Sequence, residues 1–180
     1  MGSQTGTSLV LLNLYIPGGT AVEVRIERAK LEDAELILEG QRKCFLTLLE
    51  RYQDHDLNPC NEKLESIQKS IIEHYFYKIL VDGKFSGAVY VHENPDKLHM
   101  KLHTIYVLPE YQNLGVAQKA IEYVEKIHNC AVEWVLETPH DLEKNHHLYE
   151  KMGYVKTGKT EKINDRLTIV HFKKEISKLD

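Results

Sequence analysis

The chain has 180 residues, 42% of them hydrophobic and 28% charged, which is the composition of a folded globule and excludes a wholly disordered chain. With 23 Lys and Arg against 27 Asp and Glu the net charge is −4, so no basic excess points to nucleic acid as a partner. Cys44, Cys60 and Cys130 form an odd set without a CxxC pair, which argues against a disulfide framework and a structural zinc site.

Residues 1–21 read as an irregular N-terminal extension, rich in Gly, Ser and Thr and ending near Pro17-Gly18-Gly19. Its apolar strip, Leu9 to Leu12, is too short for a membrane span and lacks the preceding charge of a signal peptide. The expectation is therefore a cytoplasmic protein with no membrane partner. Residues 22–180 read as a single domain. Val22, Val24 and Ile26 alternate as a short strand. Ala34 to Tyr52 carries helical spacing, with Gly40 placed to kink it, and Leu64 to Tyr75 suggests a second helix. Period two then takes over: Tyr77–Val81 and Ser86–Val91 flank the hairpin signal Asp82-Gly83-Lys84, and Leu98–Leu108 reads as a long strand. An amphipathic helix from Gly115 to His128 precedes the apolar strand Val132–Glu137. Thr138 as N-cap and Pro139 at the first helical position, with Asp141 three residues on from the cap, predict a helix running to Met152 and stopped by Gly153. Tyr154–Thr157 and Leu167–Phe172 close the chain as a hairpin around Ile163-Asn164-Asp165. This order predicts an α/β (α+β) fold with a mixed sheet.

The segment Tyr106-Val107-Leu108-Pro109-Glu110-Tyr111-Gln112-Asn113-Leu114-Gly115-Val116-Ala117 ends a strand, turns, and opens a helix at a glycine. Free backbone N–H groups at a helix start, aided by the helix dipole, form an anion site, and small residues let a pyrophosphate approach them. Gln112, Gly115 and Ala117 satisfy the pattern Gln/Arg-x-x-Gly-x-Gly/Ala, and here the chain resembles motif A of the GNAT superfamily of N-acetyltransferases. Asn145-His146-His147-Leu148-Tyr149-Glu150-Lys151-Met152-Gly153-Tyr154 is similar to the block that follows it in that family. The resemblance spans residues 22–175 and is densest from Leu98 to Tyr154.

The resemblance implies a mixed, mostly antiparallel central sheet with helices on both faces and a splayed parallel strand pair. Acetyl-CoA would lie in the opening as co-substrate, without a metal. Backbone groups of Ile105, Tyr106 and Val107 would pair with the pantetheine arm. The N–H groups of Gln112, Asn113, Leu114, Gly115, Val116, Ala117 and Gln118 would hold the pyrophosphate. Asn145 would contact the arm, and Tyr149, four residues on and on the same helix face, would be the acid for the departing thiolate. His103 stands nine residues before Gln112, where some family members use His as the base, and a structural strand histidine is the other reading. Glu137 ends the central strand near the same cleft. Asp54, His55 and Asp56 fall where the family builds its acceptor pocket, though a solvated loop explains them too. Tyr75, Tyr77, Tyr90 and Tyr106 read as core residues or as pocket lining. The implied activity is acetyl transfer to a primary amine of an unidentified acceptor. A non-catalytic acyl-CoA-binding module of the same fold, or a longer acyl group, are the alternatives. The oligomeric state is open, a homodimer included.

Overall fold

The computed structural model describes residues 11–15 and 21–176. Eight strands form one sheet: β1 (Leu11–Tyr15), β2 (Ala21–Arg28), β3 (Tyr75–Val81), β4 (Lys84–Glu93), β5 (His99–Val107), β6 (Glu133–Pro139), β7 (Val155–Lys162) and β8 (Thr168–Glu175). Their spatial order is β1-β2-β3-β4-β5-β6-β8-β7, and only the β5–β6 pair is parallel. Helices α1 (Ala34–Tyr52) and α2 (Leu64–Glu73) cover one face, and α3 (Val116–Ile127) and α4 (Glu143–Lys151) cover the other. The expected fold class is observed.

Alternation decides which strand residues each face receives. Val22, Val24, Ile26, Trp134, Leu136 and Phe172 point under α3 and α4, which cover them with Ala120, Ile121, Val124 and Tyr149. Ala88, Tyr90 and Tyr106 point the other way, under Ile37, Leu38, Ile67 and Ile71 of α1 and α2. Gly40 does not kink α1, which runs unbroken for 19 residues. It is small because the helix lies close on the sheet: a Cβ there would meet Phe85 at 2.9 Å and the Tyr106 hydroxyl at 3.0 Å. Among the described residues no helix is long and apolar enough to cross a membrane.

Several boundaries differ from expectation, the closing hairpin strands β7 and β8 running on to Lys162 and Glu175 among them. Leu11–Tyr15, inside the stretch read as irregular, pairs with β2 as an edge strand, while residues 1–10 and 16–20, with Pro17-Gly18-Gly19, lie outside the described residues. Tyr75 belongs to β3 rather than α2, because it pairs with Val91 across the hairpin. Thr138 and Pro139 extend β6 instead of starting a helix. Thr138 pairs with Val170 and Pro139 with Ile169, His140 donates to Thr168 O at 2.9 Å, and α4 starts at Glu143 after Leu142. A complete strand ladder outweighs one capping interaction. Asp141, the residue expected inside the capped turn, is instead bound to α1.

The feature that positions the site is a β-bulge. Tyr90 pairs with Thr104 but Val91 pairs with Leu102, so His103 is the extra residue of β5. A bulge bends its strand and sharpens the twist. The parallel pairing of β5 with β6 accordingly stops at Lys101↔Val135, while β6 stays bonded to β8 through Pro139. Beyond Lys101 the two strands part.

Candidate active site

The parting of β5 from β6 exposes a row of main-chain groups. Leu108 N–H donates to Ser86 O on β4 at 2.8 Å, and antiparallel ladders alternate their bonding residues. Ile105 and Val107 therefore turn their N–H and C=O groups into the gap. The Val107 carbonyl already accepts from Gln112 Nε2 at 2.8 Å, and Cys44 Sγ faces it at 3.6 Å. Gln112 thus ties the turn to the strand end through its side chain.

The turn itself is a concave array of donors. Asn113 (φ 61°) and Gly115 (φ 79°) both adopt the left-handed conformation, the backbone pattern that gathers successive N–H groups into an anion-binding nest. None of the N–H groups of residues 113–118 has a protein acceptor among the described residues. Gly115 meets the conformational demand without strain. The positive end of α3 points at the same spot.

Gap and turn together form one cleft of about 690 Å³, within the range of small-molecule sites. It is lined by Ile105, Tyr106 and Val107, by Gln112, Asn113, Gly115, Val116, Ala117 and Gln118, and by Asn145 and Tyr149. Leu114 is the one expected cofactor contact outside the lining; its side chain packs against the core below. Cys44, Phe45, Thr47 and Leu48 of α1 and Lys144, His147 and Lys151 of α4 also line the cleft. Periodicity places these residues on helices but cannot say that α1 reaches the strand gap. Burial pushes the Cys44 thiol up to about 11, so it stays protonated at neutral pH.

Tyr149 stands in the cleft wall, 6% exposed, against Tyr154 and Phe172 at ring distances of 6.2 and 6.0 Å. Burial raises its phenol to about 12, so the proton is in place at any physiological pH. Asn145, one turn earlier, is held by its amide donating to Thr138 Oγ1 at 3.2 Å.

His103 stands elsewhere. As the bulge residue it turns toward the α1–α2 face, packs on Tyr90 at 4.7 Å, and places Nδ1 3.0 Å from Thr104 Oγ1. Neither it nor Glu137 lines the cleft. Burial, then the charges of Lys101 and His92, push its pKa down to about 4. One edge of the residue stays open to solvent, and the lowered pKa leaves the ring neutral at pH 7. The environment thus shifts the titration of His103 downward from the ordinary imidazole value.

Glu137 faces His103 from across the splay, two residues past the last β5–β6 pair, and forms an ion pair with Lys101 at 3.0 Å. Asp54 accepts from Asn58 in a tight turn and His55 meets Gln53, so with exposed Asp56 they build a loop and none lines the cleft. Tyr75 and Tyr77 pack around His128, Tyr90 stacks on Phe76, and Tyr106 donates to Ile37 O at 2.6 Å while its ring borders the cleft. Among the described residues no three His, Cys, Asp or Glu side chains converge as metal ligands do.

A splayed parallel strand pair, an anion nest on a helix start and a buried phenol in the wall between them define a cofactor-dependent group-transfer fold. The model of the acetyltransferase (GNAT) family matches residues 35–154, and the chain belongs to that family. The fold is shared with solved structures of low sequence identity. PaiA N-acetyltransferase from Thermoplasma acidophilum, solved with coenzyme A, superposes with a TM-score of 0.66 at 17% identity, covering 85% of this chain and 99% of that one. A GNAT-family acetyltransferase from Streptococcus pneumoniae gives 0.64 at 20% identity, with 86% and 100% covered. The putative acetyltransferase yncA from Salmonella typhimurium, solved with acetyl-CoA, gives 0.66 at 12%, with 87% and 96% covered. No match is found among curated protein sequences.

Proposed function

We propose that this chain transfers the acetyl group of acetyl-CoA to a primary amine by direct attack in a ternary complex. The observation that carries the proposal is the open edge of β5 leading straight into the nest at Gly115. That arrangement suits an extended arm bonded like a strand and ending in a pyrophosphate. Backbone groups of Ile105 and Val107 take the pantetheine amides, residues 113–118 take the phosphates, and Asn145 fixes the arm from α4.

The thioester carbonyl then lies at the splay, with Tyr149 on the cofactor side and Glu137 on the other face of the sheet. Only the neutral amine has a lone pair to offer, and free amines hold their protons until about pH 10. Glu137, through water, removes that proton in the complex. Attack forms the C–N bond, collapse breaks the C–S bond, and the Tyr149 phenol protonates the leaving sulfur. The nitrogen of the tetrahedral intermediate returns a proton to the phenolate. In this reading Glu137 takes the proton in place of His103.

The test is a panel of primary amines with acetyl-CoA, read as free thiol. Amine-dependent thiol release that falls roughly 10²-fold or more in both Glu137→Gln and Tyr149→Phe is expected. Acetyl-CoA binding without thiol release from any amine would assign the chain to acyl-CoA binding without turnover.

A further inference from the structure

The reaction deposits one proton per turnover at the base, and β8 supplies a route for it to leave. His171 stands directly opposite Glu137 in the β6–β8 ladder. Its Nδ1 lies 3.4 Å from Glu137 Oε1, and its Nε2 lies 3.9 Å from Glu161 Oε2 on the edge strand β7. The imidazole side chain is only 13% exposed, and Nε2 is buried without a hydrogen-bond partner. Glu161 is 57% exposed, so its carboxylate is in contact with solvent. A buried ring nitrogen left unpaired carries a desolvation cost, and here a solvent-exposed carboxylate stands 3.9 Å from it.

The other charges around the ring do not fill that role. Lys101 of β5 stands on the far side of Glu137 at 3.0 Å, and the Lys173 ammonium, two residues along β8, goes to Glu175 at 2.5 Å. The ring is therefore flanked by two carboxylates, one inward and one outward.

We infer that His171 is a proton-relay residue that carries the substrate proton from Glu137 to Glu161 and so to solvent. This rests on Glu137 being the base. The substrate ammonium carries two protons more than the amide needs. One passes through Tyr149 to the CoA sulfur. The other goes to the Glu137 carboxylate, then to His171 Nδ1, while the ring releases its Nε2 proton to Glu161, which hands it to water. Exchange with water then takes the proton from Nδ1 and returns one to Nε2, so that an unprotonated Nδ1 again faces Glu137. His171 touches neither substrate nor cofactor, so its effect falls on turnover and not on binding.

The experiment measures kcat and KM for both substrates against imidazole concentration in the wild type, His171→Ala, Glu161→Gln and Glu137→Gln. His171→Ala should lower kcat roughly tenfold or more with both KM values unchanged. Added imidazole should restore kcat with saturation, as a small base substituting for the missing relay, and leave the wild type unaffected. Glu161→Gln, on an exposed strand where folding is not at stake, should show a smaller loss that imidazole also relieves. Loss of kcat in His171→Ala that imidazole does not restore would make the residue structural and overturn the relay. So would wild-type kcat in both outer variants alongside an inactive Glu137→Gln, which leaves the base standing. Wild-type kcat in Glu137→Gln removes the base and the relay together.

Discussion

The two faces of the splayed strand pair are built from different materials. On the α3–α4 face the site is main chain: open peptide groups of β5, the nest at residues 113–118, and the neutral side chains of Asn145 and Tyr149. On the α1–α2 face it is side-chain charge: Glu137, Lys101, His171 and Glu161, with His103 and Tyr90 beside them. The first face suits a ligand common to a whole family, because backbone geometry binds it whatever the side chains are. The second is where the proposed amine and its proton would be handled, and it is assembled from five strands, β4 to β8. Function on the two faces should therefore fail in different ways when each is perturbed.

The largest effect is expected at the nest. Gly115→Glu puts a carboxylate among the donors and a side chain at φ 79°. Wild type with acetyl-CoA at about a hundred times its dissociation constant should gain roughly 2.7 kcal/mol in a thermal-shift assay, and this variant none. Gly115→Asn, a residue that tolerates the left-handed region, should keep most of the shift and so separates blockage from strain. An undiminished shift in Gly115→Glu would remove the anion site from the cofactor face.

Tyr149→Phe comes next. It keeps the packing on Tyr154 and Phe172, so turnover should fall roughly 10²-fold while acetyl-CoA affinity barely changes. Equal rates under conditions where chemistry limits would leave Tyr149 as a wall residue only.

Acid should then discriminate between histidines on the two faces. His128 under α3 is 9% exposed, meets the Tyr77 hydroxyl at 3.0 Å, and is pushed down to about 4 by burial and then by Arg28. Below its unfolded pKa near 6.5 the unfolded chain binds a proton that the native ring refuses. Its stabilising contribution is thus complete above about pH 6.5 and is lost as pH falls toward 4, on the order of 3 kcal/mol across that window. Urea unfolding from pH 7 to 4 should show the loss, and His128→Gln should flatten that part of the curve. His103, with its open edge, should contribute much less, and an equal flattening in His103→Gln would contradict the contrast.

The smallest expected effect is at the seam between the faces. Tyr52 and Arg51, at the end of α1, bind Asp141 of the β6–α4 loop at 2.5 and 2.6 Å, and Asn164 of the β7–β8 turn donates to Tyr52 O at 3.0 Å. Tyr52→Phe should cost about 1 kcal/mol in equilibrium unfolding, the usual worth of one hydrogen bond, because Arg51 still holds the carboxylate. A loss several times larger would mean that the latch also sets the position of α4 and, with it, Tyr149.

These contrasts match what could be read from residues in order. The turn Gln112–Ala117 and the pair Asn145–Tyr149 were legible because each is local: a strand end running into a helix start, and two positions one helical turn apart. The late start of α4 was not, since Thr138 and Pro139 carry a good capping pattern and only the partners Val170 and Ile169, some thirty residues away, keep them in the sheet. His103 was picked out by position, yet its bulge is set by the register of β4 against β5, and its lowered pKa by burial and then by Lys101 and His92. His171 and Glu161 carry no local signal at all.

The sequence by itself therefore determined the order of the elements from β2 onward, the family and the turn whose backbone donors stand free, because hydrophobic period and turn chemistry act over a few residues. Only the tertiary structure decided that β5 leaves β6 at Lys101, that α1 closes the cleft with Cys44 and Phe45, and that Glu137, His171 and Glu161 stand in a row. Ladder register and inter-strand distance set those arrangements, and neither is a property of any single stretch of chain.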